Sequence, residues 1–555
     1  MEMFEKRKRK MIILKMKNSF IIGVIILLFQ SSCSTDSIKV EITTPTLPIL
    51  TGKDANPVLR VDFIRTVPGN YQITNTVFDL SGTTDMTNIK TVSLYASDSN
   101  GSIDPENCLA TATLNGAKAS FAERIQVEQD TFSMWATVSL KESKDLLNTV
   151  SLSCVSVKTD KGTLAIPQLP SKPLRIGVAV RQHMQDGVHT SRIPGLATSK
   201  KGTLLAIYDA RYESARDLQG HMDIGLNRSM DGGCTWQPIQ VVLDMKEWGG
   251  LSEKYNGVSD ACILVDDATG DIYVAGLWMH GVLDPETGKW VKGMTQDSTR
   301  WIHQWHAKGS QPGFGVKETS QFLITKSTDD GLTWSEPINI TKSKKQEWWL
   351  YAPAPGHGIT LKDGTLVFPT QGRDKNGEPF SNITWSKDGG ETWTTSEPAY
   401  HNTTECMAVE LSDGTIMLNM RDNRNRGKIE NNGRRICTTT DLGKTWTEHP
   451  TSRKALIEPT CMASIHKHIY TENGEQKSIL LFLNPSSIAT RDHITLKVSY
   501  DNGNTWPEER WILLDEYRGR GYSCITSVNE NTIGLLYESS QADMVFQQIN
   551  LNEIK

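Results

Sequence analysis

Beyond residue 228 the chain spells one loop five times, S/T-x-D-x-G-x-T-W: "SMDGGCTW" (Ser229–Trp236), "STDDGLTW" (Ser327–Trp334), "SKDGGETW" (Ser386–Trp393), "TTDLGKTW" (Thr439–Trp446) and "SYDNGNTW" (Ser499–Trp506). One copy would say little, but five at near-regular spacing mean a repeat architecture in which each loop punctuates one supersecondary unit. Hairpins with Gly- or Asn-centred turns alternate with the loops: "GLATSKKGTLLAIYDAR", "ACILVDDATGDIYVAGLW", "GHGITLKDGTLVFPT", "CMAVELSDGTIMLNMR", "CMASIHKHIYTENGEQKSILLFLNP" and "YSCITSVNENTIGLLYES". Six hairpins, each followed by a second pair of strands, predict six four-stranded sheets: an all-β six-bladed β-propeller over residues 172–555.

Within each loop, Asp231, Asp329, Asp388, Asp441 or Asp501 can accept backbone N–H bonds across the turn. The glycine supplies positive φ, and the tryptophan packs between sheets. Calcium takes 6–8 oxygen ligands, and one shared aspartate per loop falls short of that. The repeats therefore read as structural, and no metal is expected.

Upstream, residues 37–171 alternate with period two in "VLRVDFIRTV", "YQITNTVFDL", "IKTVSLYAS", "FSMWATVSL" and "TVSLSCVSVK", the pattern of a β-sandwich, here of a carbohydrate-binding-like kind. "IPQLPSKPLRIG" (Ile166–Gly177), with three prolines, reads as the linker to the propeller. At the N-terminus Lys6, Arg7, Lys8, Arg9, Lys10, Lys15 and Lys17 precede the ten-residue apolar run Phe20–Phe29 and then "QSSCS". Such a run is too short to span a bilayer, so residues 1–36 are expected to be an export signal. The small residues before Cys33 predict a lipoprotein-type cleavage with a lipid anchor on that cysteine, in the periplasm, outer membrane or cell surface. Gln30, where such sites usually carry an aliphatic residue, keeps ordinary signal cleavage open. The other eight cysteines are scattered through apolar runs and are expected to be buried thiols; no Cys/His spacing suggests zinc. A net charge of −5 provides no basic surface for nucleic acid.

The repeat also says where function must sit. In an up-and-down blade the start of strand one, the end of strand two and the start of strand three share one face, while the turn from strand three to four lies on the other. The octapeptides follow strands such as "HMDIGLNRS" and "HITLKVS", so they occupy that far turn. The opposite mouth collects Arg192, Asp260, Glu405 and Tyr522 from strand-one starts, Arg211 and Arg421 from strand-two ends, and Asp217 and Arg491 from the loops before strand three. Any one of these has a structural explanation, as a surface guanidinium, a turn cap or a core tyrosine. Their joint convergence points to a site, and three guanidiniums from separate blades suit a small carboxylate.

These motifs resemble the retaining bacterial exo-α-sialidase (neuraminidase) family: "RIP" at Arg192–Pro194, the five Asp-boxes, and "DAR" followed by Asp217 six residues after Arg211, from Arg192 to the C-terminus. The resemblance implies hydrolysis of terminal α-linked sialic acids on glycoproteins, glycolipids and oligosaccharides, without a cofactor. It assigns Arg192, Arg421 and Arg491 to the substrate carboxylate, Asp217 to acid/base work, Tyr522 to the nucleophile with Glu405 as its base, and Arg211 and Asp260 to ring substituents. A non-catalytic sialic-acid-binding lectin is the alternative from another class, and a trans-sialidase or anhydro-sialidase would share every residue named. The loop His280–Ser320, with Trp290, Trp301 and Trp305, is expected on the same face as a pocket wall or as ordinary loop packing.

Overall fold

Period-two alternation builds the N-terminal unit directly: Ile38–Thr43 buries Ile38 and Val40 and turns Lys39 and Glu41 outward. The structure, a computed structural model, describes residues 38–555 apart from 113, 142–144, 171, 219, 251, 280–281, 284–285, 287–301, 304–309, 317–318 and 429. The expected export signal with Cys33, and Trp290, Trp301 and Trp305, lie outside the described residues. One sheet of the sandwich orders Ile38–Thr43, Asn56–Arg65, Thr131–Leu140, Ile89–Ser97 and Ile103–Ala112; the other centres on Ser153–Thr159, Tyr71–Asp79 and Lys118–Phe121. Val61, Phe63, Phe78, Leu94 and Val138 fill the space between them, fully buried.

The propeller has six blades. Blade 1 is Thr190–Thr198, Leu204–Arg211, Met222–Ser229 and Gln240–Leu243 from axis to rim, and blade 2 is Gly257–Val265, Ile272–Met279, Gln321–Ser327 and Ile338–Asn339. Blade 3 has a broken inner strand (Leu350–Pro353, Gly356–His357, Ile359–Thr360) followed by Leu366–Arg373, Pro379–Ser386 and Thr394–Thr395. Blade 4 is Thr403–Glu410, Ile416–Asp422, Arg435–Thr439 and Thr447–Glu448; blade 5 is Ser464–Glu472, Glu475–Pro485, Ile494–Ser499 and Ile512–Asp515. Blade 6 takes Ser523–Asn529, Thr532–Tyr537 and Met544–Asn550 from the C-terminus and its rim strand, Leu174–Arg181, from the start of the propeller, with Val178 opposite Phe546. The last residues of the expected linker, Leu174–Gly177, are thus strand: Leu174 and Arg175 pair with Val150 and Thr149, and Ile176 and Gly177 with Ile49 and Leu50 of the sandwich. From Val178 the same strand pairs with the C-terminal strand, which closes the ring and covers the edge.

All five octapeptides are the turns from third to fourth strands, and blade 6 lacks one because its fourth strand is not connected to its third. In the first, Asp231 Oδ1 accepts from Ser229 Oγ (2.9 Å) and Thr235 N (3.0 Å), and Oδ2 accepts from Thr235 Oγ1 (2.6 Å), so both carboxylate oxygens are spent inside the turn. The glycine meets the neighbouring blade: a Cβ on Gly233 would stand 2.1 Å from Phe546 of blade 6, and one on Gly390 2.7 Å from Tyr273 of blade 2. Trp236 completes the contact edge-on to Phe546 at 5.3 Å. Where the sixth box would lie, the C-terminal turn buries Leu551 and Ile554 among blade 5 and 6 side chains. No disulfide joins the eight described cysteines; six are buried, whereas Cys108 is exposed and Cys234 half-buried.

Candidate active site

On the face opposite the boxes, a cleft of about 620 Å³ opens at the axis, lined by all eight residues that the sequence places there, namely Arg192, Arg211, Asp217, Asp260, Glu405, Arg421, Arg491 and Tyr522. Inner strands deliver three of them through bulges, where the register slips between Arg192 and Gly195, Ser259 and Cys262, and Thr403 and Cys406. A bulge re-aims a side chain that regular alternation would send into the blade. Ile193 and Asp260 consequently hold left-handed backbone, φ 62° and 55°.

At the floor, the Tyr522 hydroxyl donates a short hydrogen bond to Glu405 Oε1. Arg421 Nη1 donates to the same hydroxyl at 3.1 Å and to Glu405 Oε2 at 2.5 Å. The guanidiniums of Arg192 and Arg491 each lie 5.4 Å from the centre of the Tyr522 ring. The expected triad therefore surrounds one phenol. Burial, and then the adjacent Glu405 charge, push the Tyr522 hydroxyl well above its ordinary pKa, with Arg421 and Arg491 opposing them. Burial also disfavours a charged Glu405, but Arg421, the Tyr522 bond and Arg491 outweigh it and hold that carboxyl below its usual range. The resting pair is a phenol hydrogen-bonded to a carboxylate.

Arg211, buried at the end of blade 1's second strand, donates from Nη2 to Asp209 Oδ2 and to Asp217 Oδ1, both at 2.8 Å, and from Nη1 to the Ala215 carbonyl at 2.9 Å. It thereby fixes the Asp217 loop from inside, while the Asp217 side chain stays 49% exposed. Burial pushes Asp209 up to about 6 against the pull of Arg211. Burial, followed by the charges of Asp217 and Glu405, raises Asp260 well above the carboxylate range; its Oδ2 accepts from Gln371 Nε2 at 2.9 Å.

Sequence reasoning missed Glu538, Asp209, Gln371 and Arg373. Glu538, almost fully buried, accepts from Arg192 Nε (2.6 Å), Arg192 Nη2 (3.3 Å), Ile193 N (3.0 Å) and Tyr522 N (2.9 Å). It follows blade 6's second strand directly, and Arg373 ends that of blade 3, so the rule that found Arg211 and Arg421 covers both. Away from the cleft, His221, Asp244 and Glu253 bring ligand atoms within 4.8 Å of one another, but His221 there is paired with Asp223 (3.2 Å) and Glu253 (3.4 Å).

Residues 202–536 match the BNR repeat-like domain family, and residues 36–163 match the N-terminal domain of BNR-repeat neuraminidase. The chain belongs to the BNR-repeat neuraminidases. A sialidase of Bacteroides fragilis is 43% identical over 423 residues, covering 76% of this chain and 73% of that protein. One from Micromonospora viridifaciens is 30% identical over 367 residues, 64% of this chain and 50% of that protein. The solved Hadza microbial sialidase Hz136 superposes with a TM-score of 0.82 at 35% identity, covering 93% of this chain and all of that one. In this neuraminidase the conspicuous box loops lie on the face away from the cleft, and the residues that line the cleft come from all six blades, blade 5 adding Arg491 from the loop before its third strand.

Proposed function

We propose that this neuraminidase is an exo-α-sialidase that removes terminal α-linked sialic acids from glycoconjugates with retention, through a sugar covalently held on Tyr522. The observation that carries the reading is the Tyr522–Glu405 hydrogen bond set among three guanidiniums. Arg192, Arg421 and Arg491 take the substrate carboxylate by charge-assisted bonds that tie the sugar ring to the floor. That carboxylate sits on the anomeric carbon itself, so an anionic nucleophile would approach against like charge. A neutral phenol avoids the repulsion provided its proton leaves as the bond forms, and Glu405 Oε1 already accepts it. Asp217 protonates the departing alcohol and then deprotonates the water that releases the sugar. Asp260, whose ionisation is disfavoured by burial and then by the neighbouring charges of Asp217 and Glu405, lines the same cleft near Arg211, where it can bond a ring substituent.

A sialic-acid-binding lectin would use the arginines but has no need of the Tyr522–Glu405 pair. The reading is tested with sialyllactose: the purified protein should release free sialic acid first as the α-anomer. Tyr522→Phe and Asp217→Ala should each cut turnover by orders of magnitude in a folded protein, and near-normal turnover of either variant would discard its role. Arg491→Ala should raise KM, and an unchanged KM would remove Arg491 from the carboxylate site. Export with lipidation at Cys33 belongs to the same reading; metabolic labelling with a fatty acid tests it, and label that persists after Cys33→Ser would refute it.

A further inference from the structure

A chain of hydrogen bonds runs from the N-terminal sandwich into the catalytic floor. The segment Pro45–Leu50 is buried against the propeller. Ile49 and Leu50 pair in parallel with Ile176 and Gly177 of the blade 6 rim strand, and Thr51 N donates to the Gly177 carbonyl at 3.0 Å. At its outer end, Thr46 and Glu516 bond reciprocally: Glu516 N donates to Thr46 O (2.8 Å), and Thr46 N donates to Glu516 Oε2 (2.9 Å). Glu516 opens the loop that ends at Gly521, immediately before Tyr522.

That loop in turn grips Arg491. Gly519 N donates to the Arg491 carbonyl at 3.0 Å, Arg491 Nη1 donates to the Arg520 carbonyl at 2.9 Å, and the Glu516 carbonyl accepts from His493 N at 3.4 Å. His493 is left-handed, φ 55°, a conformation that a non-glycine residue keeps only where its surroundings impose it. Gly521, φ 90°, lets the loop pass where a Cβ would be 2.9 Å from Pro485 and 3.1 Å from Arg491 Cβ. Asp515, at the loop's start, accepts from Ser539 Oγ (2.6 Å), Ser540 N (2.8 Å) and Ser540 Oγ (2.7 Å), and Lys53 of the sandwich segment donates to Gln541 Oε1 in that same turn at 2.9 Å. Both the guanidinium and the backbone of Arg491 thus depend on a loop whose far end is held by the sandwich.

From this we infer that the sandwich is a working part of the active site, and that Glu516, through its pair with Thr46, is the positioning residue that sets Arg491 for the substrate carboxylate. The inference rests on the sialidase reading above. Its test uses the full chain and a fluorogenic sialoside. Glu516→Ala should raise KM about tenfold with kcat little changed. Glu516→Gln, which keeps an acceptor for Thr46 N, should restore KM to near the wild-type value. Glu516→Asp, which withdraws the carboxylate by one methylene, should raise KM by a smaller factor. The decisive arm is a double-mutant cycle: in an Arg491→Ala background, Glu516→Ala should raise KM no further. A merely structural role would lower Tm and multiply with Arg491→Ala. If Glu516→Ala does not fold, Glu516→Asp is read in the same two backgrounds. Unchanged KM in Glu516→Ala and Glu516→Asp, a Glu516→Gln variant whose KM is raised as far as that of Glu516→Ala, or multiplicative effects with Arg491→Ala, overturns the inference alone. A wild-type protein inert toward sialosides, or an Arg491→Ala variant with normal KM, overturns the functional reading and the inference with it.

Discussion

Glu538→Gln should damage both the stability and the substrate affinity of the protein. The carboxylate is 1% exposed, and each of its oxygens accepts two bonds: Oε1 from Arg192 Nε and Ile193 N, Oε2 from Arg192 Nη2 and Tyr522 N. An amide can satisfy one of these donor pairs, and its NH₂ must then face the other. Removing one partner of a buried ion pair costs about 3–5 kcal/mol, because the remaining charge stays buried. At roughly 2 °C per kcal/mol for a large domain, Tm should fall by about 6–10 °C. Burial opposes ionisation of Glu538, but Arg192 and the backbone donors outweigh it and depress its pKa. The sign follows from that: its contribution is complete above the unfolded-state value of about 4.3 and is lost as pH falls through the lower folded value. The Tm difference between wild type and Glu538→Gln should therefore be full at pH 7 and shrink in acid. Calorimetry across pH, with KM measured on the same samples, checks this. Equal Tm and KM for both proteins at pH 7 would refute the placement of Glu538 beneath Arg192.

Three other outcomes follow from the geometry. Gly390→Ala, at φ 84° and with its new Cβ 2.7 Å from Tyr273, should lower Tm by an amount equivalent to about 1–3 kcal/mol while kcat/KM stays near wild type; lost activity at full stability would put the boxes in the chemistry. Asp388→Ala removes the acceptor of Ser386 Oγ (2.7 Å), Thr392 N (2.9 Å) and Thr392 Oγ1 (2.5 Å) and should also act on stability alone. The acid limb of kcat/KM set by Glu405 should lie below the ordinary glutamate range. In Arg421→Met, where burial remains but the main opposing charge is gone, that limb should move to higher pH; a limb that stays put would detach Glu405 from the profile.

The blade count and the chemically loaded face were legible because the boxes are local: each closes on its own Asp, Ser or Thr, and Gly, so eight residues carry the whole signal. The closure of blade 6 was not, since Val178 meets Phe546 across the whole length of the propeller and a proline-rich approach disguises the strand. Arg192, Asp217, Glu405 and Tyr522 were readable from motif and position. Glu538 stands at the strand-two end that the same rule covers, but no motif marks it, and a lone acid in "YESS" looks like any turn residue until the fold brings Arg192 to it. Glu516 is hidden for the same reason: its partner Thr46 lies 470 residues away, in the other unit.

The central claim is that Tyr522 forms the bond to the sugar. A 3-fluorosialosyl fluoride, whose ring fluorine slows the release step, should label the protein once, and fragmentation of the tryptic peptide Gly521–Lys555 should place the sugar on Tyr522. Label on Glu405 or Asp217, or turnover of sialosides with inversion and no label, would contradict the account.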